Sequence, residues 1–161
     1  MRPIQVTPID LENSSHAQVL VELLEHYALD AMGGGRGLTA DVRARLVAEL
    51  RKIPGYHGAL AYVQEEAVGL INCFTGFSTF AARPLLNVHD IVVRNPWRGR
   101  GIGQALLAWA QQRAGELQCC KLTLEVLSTN VRAMRAYERA GFAPYRLDPA
   151  VGHALLMQKI L

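Results

Sequence analysis

The segment Arg98-Gly99-Arg100-Gly101-Ile102-Gly103 constrains the fold more than any other stretch of the chain. It follows an apolar, β-branched run ending at Val93. It opens a stretch in which Ile102, Ala105, Leu106, Trp109 and Ala110 share one helical face. A strand therefore feeds a helix through a glycine loop. Glycines let the backbone approach a bound anion closely. The N–H groups of the first helical turn lack partners within the helix and point at that anion. Arg98 and Arg100 add charge-assisted donors. This is the chemistry of a pyrophosphate cradle. No Gly-Lys-Ser/Thr follows, which excludes a P-loop, and glycines at 99, 101 and 103 do not fit G-x-G-x-x-G. Taken alone, the loop also reads as a turn that merely starts a helix.

The flanking sequence predicts alternating elements. A short strand at 4–7 precedes a helix capped at Ser14 or Ser15 and running to about residue 31. Three consecutive glycines at 33–35 end it in a loop. Thr39 caps a second helix that Pro54-Gly55 closes. Strands at 58–64 and 67–79 flank a turn at Glu65-Glu66, and a fourth strand spans 85–93. After the helix from 101 to 115 come a strand at 121–127 and a helix from 131 to 140, capped by Asn130 and stopped by Gly141. Strands at 142–145 and 155–160 close the chain. The order β-α-α-β-β-β-α-β-α-β-β is that of an α/β domain with a mixed sheet.

Half of the 161 residues are apolar and 19% are charged, which excludes a mainly disordered chain. The net charge of +3 implies no global anion-binding field. Three cysteines, with Cys119 and Cys120 adjacent and no CxxC, argue against a zinc site or a redox pair. Reduced thiols, no signal-like N-terminus and no apolar span point to a cytoplasmic protein without membrane or metal.

The pattern Arg98-x-x-Gly101-x-Gly103 resembles the acetyl-CoA signature of the GCN5-related N-acetyltransferases (GNAT). Leu124-Glu125-Val126, followed by Asn130, Ala133, Tyr137, Gly141 and Phe142, resembles that family's L-E-V…N-x-x-A-x-x-x-Y-x-x-x-G-F block. The resemblance implies a single GNAT-like domain over 1–161, with an acetyl-CoA-binding core at about 85–142. It implies an α/β fold with a central mixed, mostly antiparallel sheet of about seven strands and about four helices. The backbone of Ile91, Val92 and Val93 would take the pantetheine arm of acetyl-CoA, with a backbone N–H near Val92 polarising the thioester. Arg98, Gly99, Arg100, Gly101, Ile102, Gly103 and Gln104 would hold the pyrophosphate. Asn130 would bond the pantetheine or simply cap its helix.

By the same resemblance Tyr137 is the general acid that protonates the departing sulfur. Its competing role is packing beside Ala133 and Met134. Two residues compete as general base. Glu125 lies on the less apolar face of its strand, where ribosomal-protein alanine acetyltransferases place a glutamate. His89 stands where polyamine acetyltransferases place a glutamate, and strand alternation puts Asp90 on the opposite face from it.

The acceptor side includes Tyr27, the 32–37 loop and Phe74, Phe77 and Phe80, whose spacing predicts a bulge near Gly76. The phenylalanines line an aromatic pocket or belong to the core. Arg36 and Arg83 offer to hold an acceptor carboxylate. The expected activity is transfer of acetyl from acetyl-CoA to a primary amine of a small, amino-acid-like molecule. A peptide N-terminal acetyltransferase and a non-catalytic acyl-CoA sensor are the alternatives. Nucleic-acid binding through Arg98, Arg100, Arg132 and Arg135 lacks aromatic stacking partners. A homodimer is compatible with the apolar C-terminal run.

Overall fold

The computed structural model describes residues 3–145, 150 and 154–160. They form five strands: β1 (Ile4–Pro8), β2 (Tyr56–Val63), β3 (Glu66–Ser78), β4 (Arg83–Val93) and β5 (Leu122–Leu124). Four α-helices accompany them: α1 (Ser14–Leu29), α2 (Ala40–Leu50), α3 (Ile102–Glu116) and α4 (Val131–Arg139). The strands make one sheet in sequence order. β1 to β4 pair antiparallel, and β5 joins the edge parallel to β4.

Each strand divides its side chains between two helical layers, as period-two alternation requires. Ala59, Ala61, Ile71, Cys73, Leu86 and Val88 pack under Ile102, Leu106 and Ala110 of α3. Leu60, Leu70 and Val92 pack under Leu20 and Leu23 of α1 and Leu50 of α2. Helix α3 sits very close to the sheet at Gly69. A Cβ there would lie 2.9 Å from Ile102 Cγ2 and 3.0 Å from the Val92 carbonyl oxygen. The start of α3 is therefore seated directly on β3 and β4.

The described sheet has five strands, not the seven expected. Residues 142–145 and 154–160 form no strand, and 146–149, 151–153 and 161 lie outside the described residues. Leu155, Leu156, Met157 and Ile160 are exposed, so their apolar character is not spent on a sheet face. An apolar segment becomes a strand only where a ladder partner satisfies its backbone. The β2–β3 turn falls at Gln64 and Glu65, with φ 59° at Gln64, because Val63 pairs with Glu66.

The bulge lies in β4 rather than at Gly76, which pairs regularly with Leu85. Asn72 opposes Asp90 and Cys73 opposes Val88, leaving His89 as the extra residue. The alternation expected between His89 and Asp90 is broken there. Asp90 accepts a hydrogen bond from Asn72, and the His89 ring stands edge-on to Phe74 at 5.5 Å. Both side chains therefore face the α1–α2 layer, to which Phe74 belongs.

Among the described residues no helix is long and apolar enough to cross a membrane, and no three potential metal ligands cluster.

Candidate active site

Strand β5 pairs with β4 only from Leu86 to Val88, while β4 continues to Val93. Beyond Val88 the β4 edge is left open, and a cleft of about 470 Å³ occupies the gap. Its walls are β4, the start of α3, the end of β5, α4 and the end of α1.

The open edge presents particular backbone groups. Arg94 donates its N–H to the Val68 carbonyl. Backbone groups of successive strand residues point to alternate sides, so those of Val92 point to β3 and those of Ile91 and Val93 to the cleft. The donor expected near Val92 is thus its neighbours' N–H. The Val93 carbonyl accepts from Arg98 Nε at 3.0 Å.

The glycine loop closes one end. Gly99 and Gly101 have φ of 79° and 88°, a left-handed conformation that favours glycine. Gly101 is the N-cap of α3 and makes no side-chain cap bond. The other three helices are capped by Asn13, Thr39 and Asn130 side chains. Helix α3 alone among these four presents its first-turn amides without a protein side-chain acceptor. That end carries partial positive charge and suits a phosphate.

Three arginines surround this loop, each with a different partner. Arg98 donates to Val93 and, from Nη2 at 2.9 Å, to Asp30 Oδ2, so two of its guanidinium nitrogens are engaged. Arg100 lies over the Trp97 ring at 5.1 Å. Arg132 reaches from α4 until its Nη2 is 3.9 Å from where a Gly99 Cβ would stand. The sequence weighed Arg132 only for nucleic acid, whereas it lines this cleft. The contact needs α4 folded back over the loop, which local pattern does not encode. Gln104 donates to the Ala136 carbonyl at 2.8 Å and so ties α3 to α4. Asn130 Oδ1 accepts from the Ala133 N–H, the capping role.

Tyr137, Glu125 and His89 all line the same cleft. Tyr137 packs edge-on to Phe142 at 6.1 Å, and burial pushes its phenol up to about 12, with the Tyr27 hydroxyl adding to the rise. It stays protonated across the neutral range. Glu125 and His89 are exposed, Glu125 just past the end of β5 and His89 at the bulge of β4; each directly follows a residue of the last β4–β5 pair, Leu124 and Val88 respectively.

Beside His89 lies a polar chain. The Tyr56 hydroxyl donates to Asn72 Oδ1 at 2.9 Å, and Asn72 Nδ2 donates to Asp90 Oδ2 at 3.0 Å. Tyr27 lines the cleft, and its pKa is raised by burial first and by Asp90 and Asp30 next. Of the three phenylalanines only Phe74 is near. Phe77 and Phe80 are exposed towards the tip of the β3–β4 hairpin. Arg83 is spent on the Gln118 carbonyl, and Arg36 is an exposed loop residue. Asp30 went unnoticed in sequence, although an Asp two residues before a free N–H is an Asx-turn signal.

Comparison with known proteins bears on this cleft. Residues 24–142 match the Acetyltransferase (GNAT) family. Aminoalkylphosphonate N-acetyltransferase of Salmonella typhimurium is 36% identical over 92 residues, 55% of this chain and 58% of that protein. Streptothricin acetyltransferase of Streptomyces lavendulae is 38% identical over 90 residues, 56% of this chain and 48% of that protein. The matched part is thus about half the length of these curated relatives. A crystal structure of a probable acetyltransferase superposes with a TM-score of 0.79 at 22% identity, over 97% of this chain and 99% of that one.

Proposed function

The chain belongs to the Acetyltransferase (GNAT) family, and on that premise we propose that it is an N-acetyltransferase moving acetyl from acetyl-CoA to a primary amine of a small molecule. One observation carries the reading: the uncapped N-terminus of α3 behind its left-handed glycines shares a cleft with the open β4 backbone and a protonated Tyr137. The relatives named for an aminoalkylphosphonate and for streptothricin support a small amine over a peptide N-terminus.

Acetyl-CoA supplies an acyl group activated as a thioester. The first-turn amides of α3 hold its pyrophosphate, with Arg132 and Arg100 flanking. Ile91 and Val93 offer backbone groups to the pantetheine, and a cleft-facing N–H of β4 polarises the carbonyl. Glu125 or His89 removes the proton from the ammonium, directly or through water. The amine nitrogen bonds the acyl carbon, the C–S bond breaks, and Tyr137 gives its proton to the sulfur; the second proton lost by the nitrogen as it becomes an amide returns, directly or through water, to the Tyr137 phenolate. Gln104 keeps α4, which carries Tyr137, against α3, and Asn130 caps the start of α4.

The test is calorimetric titration with acetyl-CoA and CoA, then an amine panel with detection of the free thiol. Binding and turnover on an amine support the reading. Binding with no turnover across a broad panel favours an acyl-CoA sensor. No binding to either overturns it.

A further inference from the structure

Arg98, the first residue of the glycine signature, spends two guanidinium nitrogens on partners outside the loop. Nε bonds the Val93 carbonyl and Nη2 bonds Asp30, 68 residues earlier. Both partners of this ion pair are well covered, with side chains 30% and 21% exposed. Asp30 is itself a point of convergence. Its Oδ1 accepts the Met32 N–H at 2.9 Å. Its carbonyl accepts from Gly33 at 2.8 Å and Gly35 at 3.0 Å, and its own N–H bonds the Tyr27 carbonyl. The 31–37 loop is wound on this one residue. These same bonds hold the Asp30 carboxyl below its ordinary range, the Met32 N–H first and Arg98 next.

Elsewhere in the loop the Arg36 N–H bonds the Ala28 carbonyl of α1 at 3.0 Å, while its glycine tip is open. Gly34 and Gly35 have φ of 113° and 70°, and a Cβ on either would meet nothing within 4 Å. Three glycines in sequence carry a large ordering entropy. The far end is pinned by Glu25, which accepts from the Leu38 N–H at 2.7 Å. The near end hangs on Asp30. Met32 and Tyr27 line the same cleft as the glycine loop.

We propose that Asp30 is a positioning residue: through Arg98 it joins the 31–37 loop to the cosubstrate loop, so that occupancy of the glycines by CoA and ordering of the acceptor-side loop are coupled. The inference rests on the CoA reading above. An anion on the amides of Gly101 to Gly103 fixes the backbone that carries Arg98. A fixed Arg98 loses less entropy in bonding Asp30, so the pair tightens and the loop with it. Linkage makes the effect reciprocal: an ordered loop favours CoA.

Asp30→Asn separates this role from simple structure. The amide oxygen still accepts from Met32, while the charged bond to Arg98 is lost. Hydrogen exchange is followed at the amides of Met32, Gly33, Gly35 and Arg36, with and without saturating CoA. In the native protein CoA slows these amides about tenfold, within the usual span of coupling between sites. In Asp30→Asn, CoA still binds by calorimetry, but the slowing disappears. Asp30→Glu, which keeps the charge, retains part of it. Equal slowing in Asp30→Asn overturns the proposal, as does unchanged or faster exchange in the native protein on adding CoA. Absence of calorimetric binding to the native protein overturns the CoA reading itself, an outcome visible before any exchange is measured.

Discussion

Asn72 is the sharpest place to perturb the acceptor side of the sheet. It is the one polar side chain among the buried described residues, at 2% exposure. It accepts from Tyr56 and donates to Asp90. Asn72→Ala removes a neutral hydrogen bond of about 1 kcal/mol and one to a carboxylate of about 1.5–3 kcal/mol. The sum is about 2.5–4 kcal/mol. At about 2–4 °C per kcal/mol for a domain of this size, unfolding moves down by roughly 5–16 °C. Asn72→Asp is more diagnostic, because it sets two carboxylates side by side in a covered place. At about 4 Å and an effective dielectric of about 20, their repulsion is about 4 kcal/mol, so one carboxyl keeps its proton to well above its ordinary range. A carboxyl raised in the folded state binds its proton more readily there than in the unfolded chain. The deficit of Asn72→Asp relative to the native protein is therefore largest at pH 8 and shrinks towards pH 5. Thermal unfolding followed by circular dichroism across that range checks it. A deficit equal at both ends, or an Asn72→Ala variant as stable as the native chain, refutes the argument that Asn72 holds Asp90.

Three further outcomes follow from the geometry. Gly101→Asp forces a side chain into φ 88° and sets a negative charge among the α3 amides; CoA binding by calorimetry falls by about 100-fold or more. Tyr137→Phe lowers kcat by about 10² to 10⁴ and leaves the dissociation constant for CoA unchanged, read by titration beside steady-state kinetics. His57 Nδ1 accepts from Arg113 Nε at 3.3 Å while Nε2 meets the Thr75 hydroxyl at 3.0 Å, so the ring is held neutral. Its pKa is lowered by burial first and by Arg113 next. Stability is thus fully present above the ordinary imidazole pKa and falls as pH drops through that value towards the lowered one, a loss that His57→Gln removes from the unfolding profile.

What the sequence disclosed is what local chemistry determines. The glycine loop and α3 were legible because the clustered glycines and the apolar spacing of Ile102, Leu106 and Ala110 all act within one turn or one helix. The caps at Thr39 and Asn130 and the stop at Gly141 were legible for the same reason. The misplaced features depend on partners distant in the chain. The bulge at His89 is set by register against Asn72 and Cys73, which no alternation pattern within β4 reveals. Arg98 reads as a phosphate ligand, and its additional partner Asp30, 68 residues earlier, is invisible to local pattern. Leu155 to Ile160 reads as a strand on composition, but none of it pairs among the described residues. Phe77 and Phe80 read as pocket or core, yet they lie on the outer part of a hairpin whose length leaves both exposed.

The bulge also decides which face of the sheet His89 and Asp90 occupy. A regular β4 would turn either His89 or Asp90 to the α3 side, where Val88 and Ile91 already fill the core. The extra residue lets the strand keep both on the α1–α2 side and resume its alternation by Ile91. Beyond that point the backbone of Ile91 and Val93 faces the cleft while their side chains stay under α3. One strand thus offers polar side chains before the bulge's end and unpaired backbone after it. Glu125, one residue past the last paired residue of β5, lines the cleft where β5 stops and β4 bulges. On the proposed function, His89 and Glu125 are the two candidates in this cleft to take a proton from the acceptor ammonium. Substituting each singly and then both decides which takes the proton: if one acts alone, the double variant is no slower than the worse single.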